Sequence, residues 1–189
     1  NSGYFQDYKH QLNSLSKTTA IHSTLILDDT SSCKFKKVSN SSSRLVQGLK
    51  VIKKNIIMKK DFWKVSASHD GYLKRYGVIH NREIEFYPNQ MKFVGFDKII
   101  SKNKMLNLKF EIRFHLEPNI KVMQTQDNKS ILLDLDGEGW KFKSLENSTN
   151  IDNGLYFGKK NSFIDNQNIF ISGMTKNENQ TIKWELTKL

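Results

Sequence analysis

Cysteine is almost absent from this chain of 189 residues, with Cys33 alone. A single thiol cannot close an internal disulfide or build a thiolate metal cluster, so neither device holds the fold together. Such usage suits the cytoplasm and equally a periplasmic protein without disulfides. No apolar run approaches the roughly 20 residues of a membrane helix, so no membrane insertion is expected. The chain opens at Asn1, without the charged, apolar and small-residue blocks of a secretory signal. A processed, truncated or excised chain is the simplest expectation from that start. Compact catalytic signatures are missing too: there is no glycine-rich phosphate loop, no GxSxG elbow and no HExxH pair. Cys33 lies in a Ser/Lys-rich stretch without a local histidine and reads as incidental rather than nucleophilic.

Positive charge, by contrast, is abundant, with a formal net charge of +11. That balance admits a polyanionic partner such as nucleic acid, an anionic membrane or an acidic polysaccharide. Lysine supplies most of it, for Arg44, Arg75, Arg82 and Arg113 are the only arginines. The densest stretch, "KVIKKNIIMKKDFWK" from Lys50 to Lys64, alternates lysine with apolar residues as a solvated sheet face does. Nucleic-acid binding would place exposed aromatics among basic residues, whereas the aromatics here fall mostly at core-phase positions, so no nucleic acid is expected.

Turn chemistry recurs at short intervals, in "DDTSS", "SNSSS", "HDG", "YPNQ", "EPN", "QDNKS", "DGEG" and "TKNENQ". Between these lie runs of strand length. In "FEIRFHL", Phe110, Ile112, Phe114 and Leu116 share one face, and Glu111, Arg113 and His115 share the other. "SILLDL", "GWKFKSL", "NIFIS" and "TIKWEL" continue the pattern, and Asp136-Gly137 carries the signal of a tight hairpin. Ser43–Lys60 is long enough for a helix, but Gly48 and its β-branched residues favour strands. The expected fold class is therefore all-β: one domain over 1–189, an antiparallel multi-stranded β-sandwich of stacked sheets.

The five histidines are the remaining candidates for chemistry. His10 sits in a polar segment and reads as exposed. His22 interrupts "KTTAIHSTLIL" (Lys17–Leu27), read as a strand, where it shares a face with Ala20, Thr24 and Ile26. A histidine there is either a satisfied structural residue or a metal ligand. His69 opens "HDGY", an expected turn after which Tyr72 starts the next strand. His80 and Arg82, two apart, point to one side of a strand, and Arg113 and His115 repeat that arrangement. Either pair could bind a sulfate or carboxylate, or could be the polar outer face of a sheet.

Taken in order, these segments resemble a known family. "NSGYFQDY…KTTAIHSTLILDD" resembles the stretch of heparinase II/III-like polysaccharide lyases in which "NSG" or "DSG" precedes "RSTxAHNTLxxD". "ASHDGYLKRYGVIHNREIEF…FVGFDKI" resembles the family's "HDGY…G…H.R" region, and "EIRFHLEPNIKV" its "RFHLHP" strand. "GWKF", "GLYFG", "NIFISG" and "IKWEL" follow in the order of its closing strands. The resemblance spans nearly the whole chain. It implies the C-terminal β-sandwich of a bacterial lyase whose N-terminal α/α toroid is a partner domain, located in the periplasm or cell envelope. The implied reaction is β-elimination on uronic-acid-containing acidic glycans, with most proton-transfer groups upstream, hence no catalytic residue in this chain and no activity of the chain alone. It also matches His22 to a histidine that in some members completes a structural zinc site. Asn1 stands where zinc-binding members carry aspartate, and Ser23 where the family has asparagine; a neutral amide is a poorer zinc ligand than a carboxylate. The alternative is a non-catalytic carbohydrate-binding or structural sandwich.

Overall fold

A computed structural model describes residues 1–39, 41–101, 107–160, 162–176 and 179–189. Two sheets face each other. The smaller holds β1 (Leu25–Leu27), β8 (Lys109–His115), β13 (Ile164–Met174) and β12 (Thr149–Tyr156), in that spatial order. The larger has eight strands in the order β4 (Val51–Lys59), β5 (Phe62–His69), β6 (Val78–Tyr87), β7 (Lys92–Ser101), β14 (Asn179–Lys188), β11 (Glu138–Ser144), β10 (Ser130–Leu135) and β9 (Lys121–Gln124). A separate hairpin joins β2 (Lys34–Lys37) to β3 (Ser43–Gln47). All neighbouring strands run antiparallel. The structure is thus the all-β antiparallel sandwich that the alternation predicts.

Period-two patterning builds the core. Leu25, Leu27, Phe110, Ile112, Ile169 and Ile171 from the smaller sheet are almost wholly buried. They meet Ile99, Ile131, Phe142, Ile182 and Trp184 from the larger one in a single cluster. Phe114, in "FEIRFHL", packs between Phe142 and Trp184 with ring centroids 4.8 Å from each. A second, small core of Phe5, Leu12, Ile21 and Phe157 holds the N-terminal segment. The hairpin of "DGEG" is a two-residue connection, since Leu135 pairs with Glu138. Asp136 and Gly137 both take positive φ, 53° and 86°, as a primed turn requires.

Two local expectations are corrected. Lys17–Leu27 is not one strand: Thr19–Ile21 form a 3-10 turn, His22 is extended, and only Leu25–Leu27 pairs in a sheet. Thr19 explains the break, because its hydroxyl accepts from the Ser32 backbone N–H at 2.9 Å while its own N–H donates to Ser31 Oγ at 3.0 Å. Tyr72 likewise begins no strand. It precedes a one-turn helix, α2 (Leu73–Tyr76; α1 is Leu12–Leu15), closed by Gly77 in the left-handed region at φ 70°. The turns "SNSSS" and "TKNENQ" each include residues outside those described.

Candidate functional site

Register sets the site. Cross-strand pairing puts His69 opposite His80 and Arg82 opposite Asp97, all on the inner face of the larger sheet. Asp97 is fully buried and accepts four hydrogen bonds. His80 Nε2 lies 2.7 Å from its Oδ1, and Arg82 Nε donates to the same oxygen at 2.8 Å. Arg82 Nη2 and Trp184 Nε1 donate to Oδ2 at 3.1 and 2.9 Å. Burial alone would push the carboxyl upward, but the Arg82 guanidinium and the bonds from His80 and Arg82 outweigh it. They hold Asp97 well below the usual carboxylate range. Gly95 makes the indole contact possible, for a Cβ there would sit 2.0 Å from the Trp184 ring.

The histidines form a directed relay. The Gly71 N–H donates to His69 Nδ1 at 3.2 Å, so the neutral ring carries its proton on Nε2. His69 Nε2 lies 3.1 Å from His80 Nδ1 and donates to it, which leaves His80 Nε2–H for Asp97. Burial lowers His69 to about 4, with the neighbouring His80 adding to the effect, so the ring is neutral at physiological pH.

Arg82 reaches out of this buried set. Its Nη1 donates to the Ser23 carbonyl in the N-terminal segment. Ser23 N–H donates to Asn1 Oδ1 at 3.2 Å, and Ser23 Oγ accepts the His115 N–H at 3.0 Å. His22 Nδ1 lies 3.3 Å from Asn1 Oδ1; the carbonyl oxygen only accepts, so Nδ1 is the protonated nitrogen and Nε2 the basic one. Burial lowers the His22 pKa. His115 is closed on both sides: Nε2–H donates to the Ala20 carbonyl at 2.8 Å, and Nδ1 accepts from Ser2 Oγ at 2.8 Å. Burial takes it to about 4 against the pull of the Ala20 bond.

The two His/Arg pairs therefore lie on different surfaces. His80 is not on an outer sheet face, as its polar character suggests, but 2% exposed between the sheets with Arg82 beside it. Arg113 and His115 lie on the outer face of the smaller sheet. Arg113 is bonded to Glu111 at 2.9 Å and to Asp152 at 3.1 Å. Ser23 and Thr24 connect the pairs around the sheet edge, because the Thr24 carbonyl accepts the Arg113 N–H. Asp97 and Trp184 escaped the sequence reading. The signal for Asp97 was a carboxylate at the core parity of "FVGFDKI", two residues after a glycine.

Zinc finds an incomplete shell. His22 supplies an imidazole and Asn1 a neutral amide, and among the described residues no group of three or more His, Cys, Asp or Glu is placed to hold a metal ion. The residues of this chain do not by themselves fit zinc.

The family model described as heparinase II/III-like, C-terminal, matches residues 1–185. The chain belongs to that family. Solved structures agree on the fold. The heparan sulfate lyase HepC from Pedobacter heparinus is 16% identical with a TM-score of 0.72, over 94% of this chain and 25% of that one. A HepC mutant from the same organism gives 0.75 at 16% identity, over 99% and 28%. A heparinase III, the BT4657 gene product with methylated lysines, gives 0.68 at 12% identity, over 100% and 26%. This heparinase II/III-like chain thus spans about a quarter of the length of the solved chains it matches. A comparison with curated proteins finds no match.

Proposed function

We propose that this chain is the C-terminal sandwich of a polysaccharide lyase that cleaves uronic-acid-containing acidic glycans by β-elimination. In that reaction a base removes the C5 proton, the C4–O bond breaks as an acid protonates the leaving oxygen, and a C4–C5 double bond forms. The sugar carboxylate is neutralised so that the developing enolate is stabilised. The observation that carries this reading is the family match over residues 1–185. A division of labour is part of the proposal, and the hydrogen bonding of this chain supports it. His69, His80 and His115 are bonded through both ring nitrogens within the protein, and the Tyr72 hydroxyl is buried against the Leu25 carbonyl at 2.9 Å. Such groups brace a sandwich; the base and acid come from an N-terminal toroid of the same protein, acting in the periplasm or cell envelope. Arg82 is assigned to hold the His22–Ser23 segment against the sheet and His115 to hold the N-terminal segment from the other side, while the Arg113 side chain is held by Glu111 and Asp152.

Activity of the full-length protein and of residues 1–189 alone is read by the ultraviolet absorbance of the unsaturated uronate, on heparan sulfate and on unsulfated uronate polymers. Turnover by the full-length protein only is expected. Turnover by the isolated chain would overturn the division of labour, and no turnover by the full-length protein on any uronate polymer would overturn the lyase reading. Metal analysis of the full-length protein tests the structural zinc to which His22 would contribute one ligand: zinc in stoichiometric amount supports it, and none ends it.

A further inference from the structure

The larger sheet is wider than the sheet packed on it. From β6 onward its inward residues Ile84, Phe93, Trp184, Phe142 and Leu133 belong to the core cluster. The same alternation runs on into β4 and β5, where Ile56 pairs with Val65 and Met58 with Trp63. Val65 and Trp63 in turn face Ile84 and Phe86 on β6, so the row is continuous with the core side of the sheet. Yet Ile56, Met58, Trp63 and Val65 are 63%, 70%, 44% and 51% exposed. The opposite face of these strands is more polar: Lys53, Asn55 and Lys59 are exposed and Lys64 pairs with Glu83 at 2.8 Å, while its apolar members Ile57 and Phe62 are already partly covered, Phe62 by the Tyr87 ring. Apolar inside and polar outside is the pattern of a strand with one face packed. Here that face lies open along a nine-residue edge strand.

We propose that the inner face of β4 and β5 is the docking surface for the part of the full-length polypeptide outside these 189 residues. The proposal rests on the reading of this chain as the C-terminal domain of a longer lyase. Two observations select that occupant over a second copy, and a third relates the row to the N-terminal segment. The matched structures carry this fold on about a quarter of their length, which leaves a large body of chain to cover it. β4 contains Lys53, Lys54 and Lys59 and no carboxylate, so bringing two copies of this strand together gathers like charge at the contact. The open row also adjoins Arg82, whose contact with Ser23 ties the larger sheet to the segment bearing His22. A complementary partner surface is apolar over Trp63 and Ile56, with carboxylates at its rim to meet Lys54.

Cysteine footprinting on the full-length protein tests this. Ile56→Cys and Met58→Cys report the inner face; Lys53→Cys and Asn55→Cys report the outer face of the same strand. Native thiol labelling, located by peptide mass mapping, is expected to be at least ten-fold slower at the inner pair. All four positions are exposed and tolerate a small side chain, and circular dichroism verifies folding before labelling. Equal rates on both faces overturn the proposal. Protection that fades on dilution together with a dimer-to-monomer shift in light scattering also overturns it, assigning the face to a second copy. The elimination assay on the same preparations separates the two readings. A protected inner face on a protein inactive toward every uronate polymer sinks the lyase reading alone, and an active protein with both faces equally labelled sinks the docking surface alone.

Discussion

Asp97 is the residue on which the larger sheet's polar interior depends. Its carboxylate is wholly buried, and Arg82 is its charged partner. Desolvating two ions offsets much of their attraction, so the pair is not a large net gain over apolar residues; breaking it is another matter, because one charge then stays buried without compensation. Asp97→Asn is therefore expected to destabilise by about 3–5 kcal/mol. Trp184→Phe removes one donor while three others remain on the carboxylate, and a loss of about 1–3 kcal/mol follows. Urea denaturation of both variants and of the double variant checks the order. Since the residues share one hydrogen bond, the double variant should lose less than the sum of the singles. Strict additivity would show that the indole bond contributes nothing to holding the carboxylate.

Among elements, β7 and β14 show how tightly that interior is fitted. Gly95 pairs with Trp184, and the indole lies over the glycine on its way to Asp97. Gly95→Ala forces a methyl into the ring, and overpacking of this kind costs about 1–3 kcal/mol. The same substitution in a Trp184→Leu background should cost less, and thermal unfolding of the four proteins measures the difference. An equal loss in both backgrounds would place the strain in the backbone rather than at the indole. Element existence was readable in the sequence wherever alternation was regular, as in Lys109–His115, and where Asp136-Gly137 dictated its own turn. It failed at Lys17–Leu27, whose β-branched residues look like a strand although Thr19 and Thr18 spend their hydroxyls on nearby chain instead of extending a ladder. The His69–His80–Asp97 relay was not legible, since those residues meet only through the register of three strands and alternation alone does not fix which rungs coincide. His22 and Asn1 were read as neighbours from the family pattern, and they are hydrogen-bonded.

For the whole molecule, these buried imidazoles make stability depend on pH with a definite sign. His69 and His115 both titrate at about 4 in the folded protein, because burial disfavours their charged forms. In the unfolded chain histidine titrates near 6.5. Between those values the unfolded chain binds more protons than the native one, so unfolding becomes easier as pH falls. At about 1.36 kcal/mol per pH unit the full effect would be roughly 3 kcal/mol per histidine; the rings keep some contact with solvent, which reduces this to roughly 1–2 kcal/mol each. His22, also lowered, acts in the same direction. Asp97 works in the next window down. Its folded carboxyl lies below the ordinary range, so the stability it lends is present above about pH 4 and is lost as pH falls further. The urea midpoint should therefore fall steadily from pH 6.5 to pH 4, then fall again below it. His69→Gln and His115→Gln should flatten the first phase, and Asp97→Asn should remove the second while lowering stability at neutral pH. A midpoint that stays level from pH 7 to pH 4.5 would mean that these imidazoles take up their protons as easily inside the sandwich as in water, and the directed relay from His69 to Asp97 would have to be abandoned.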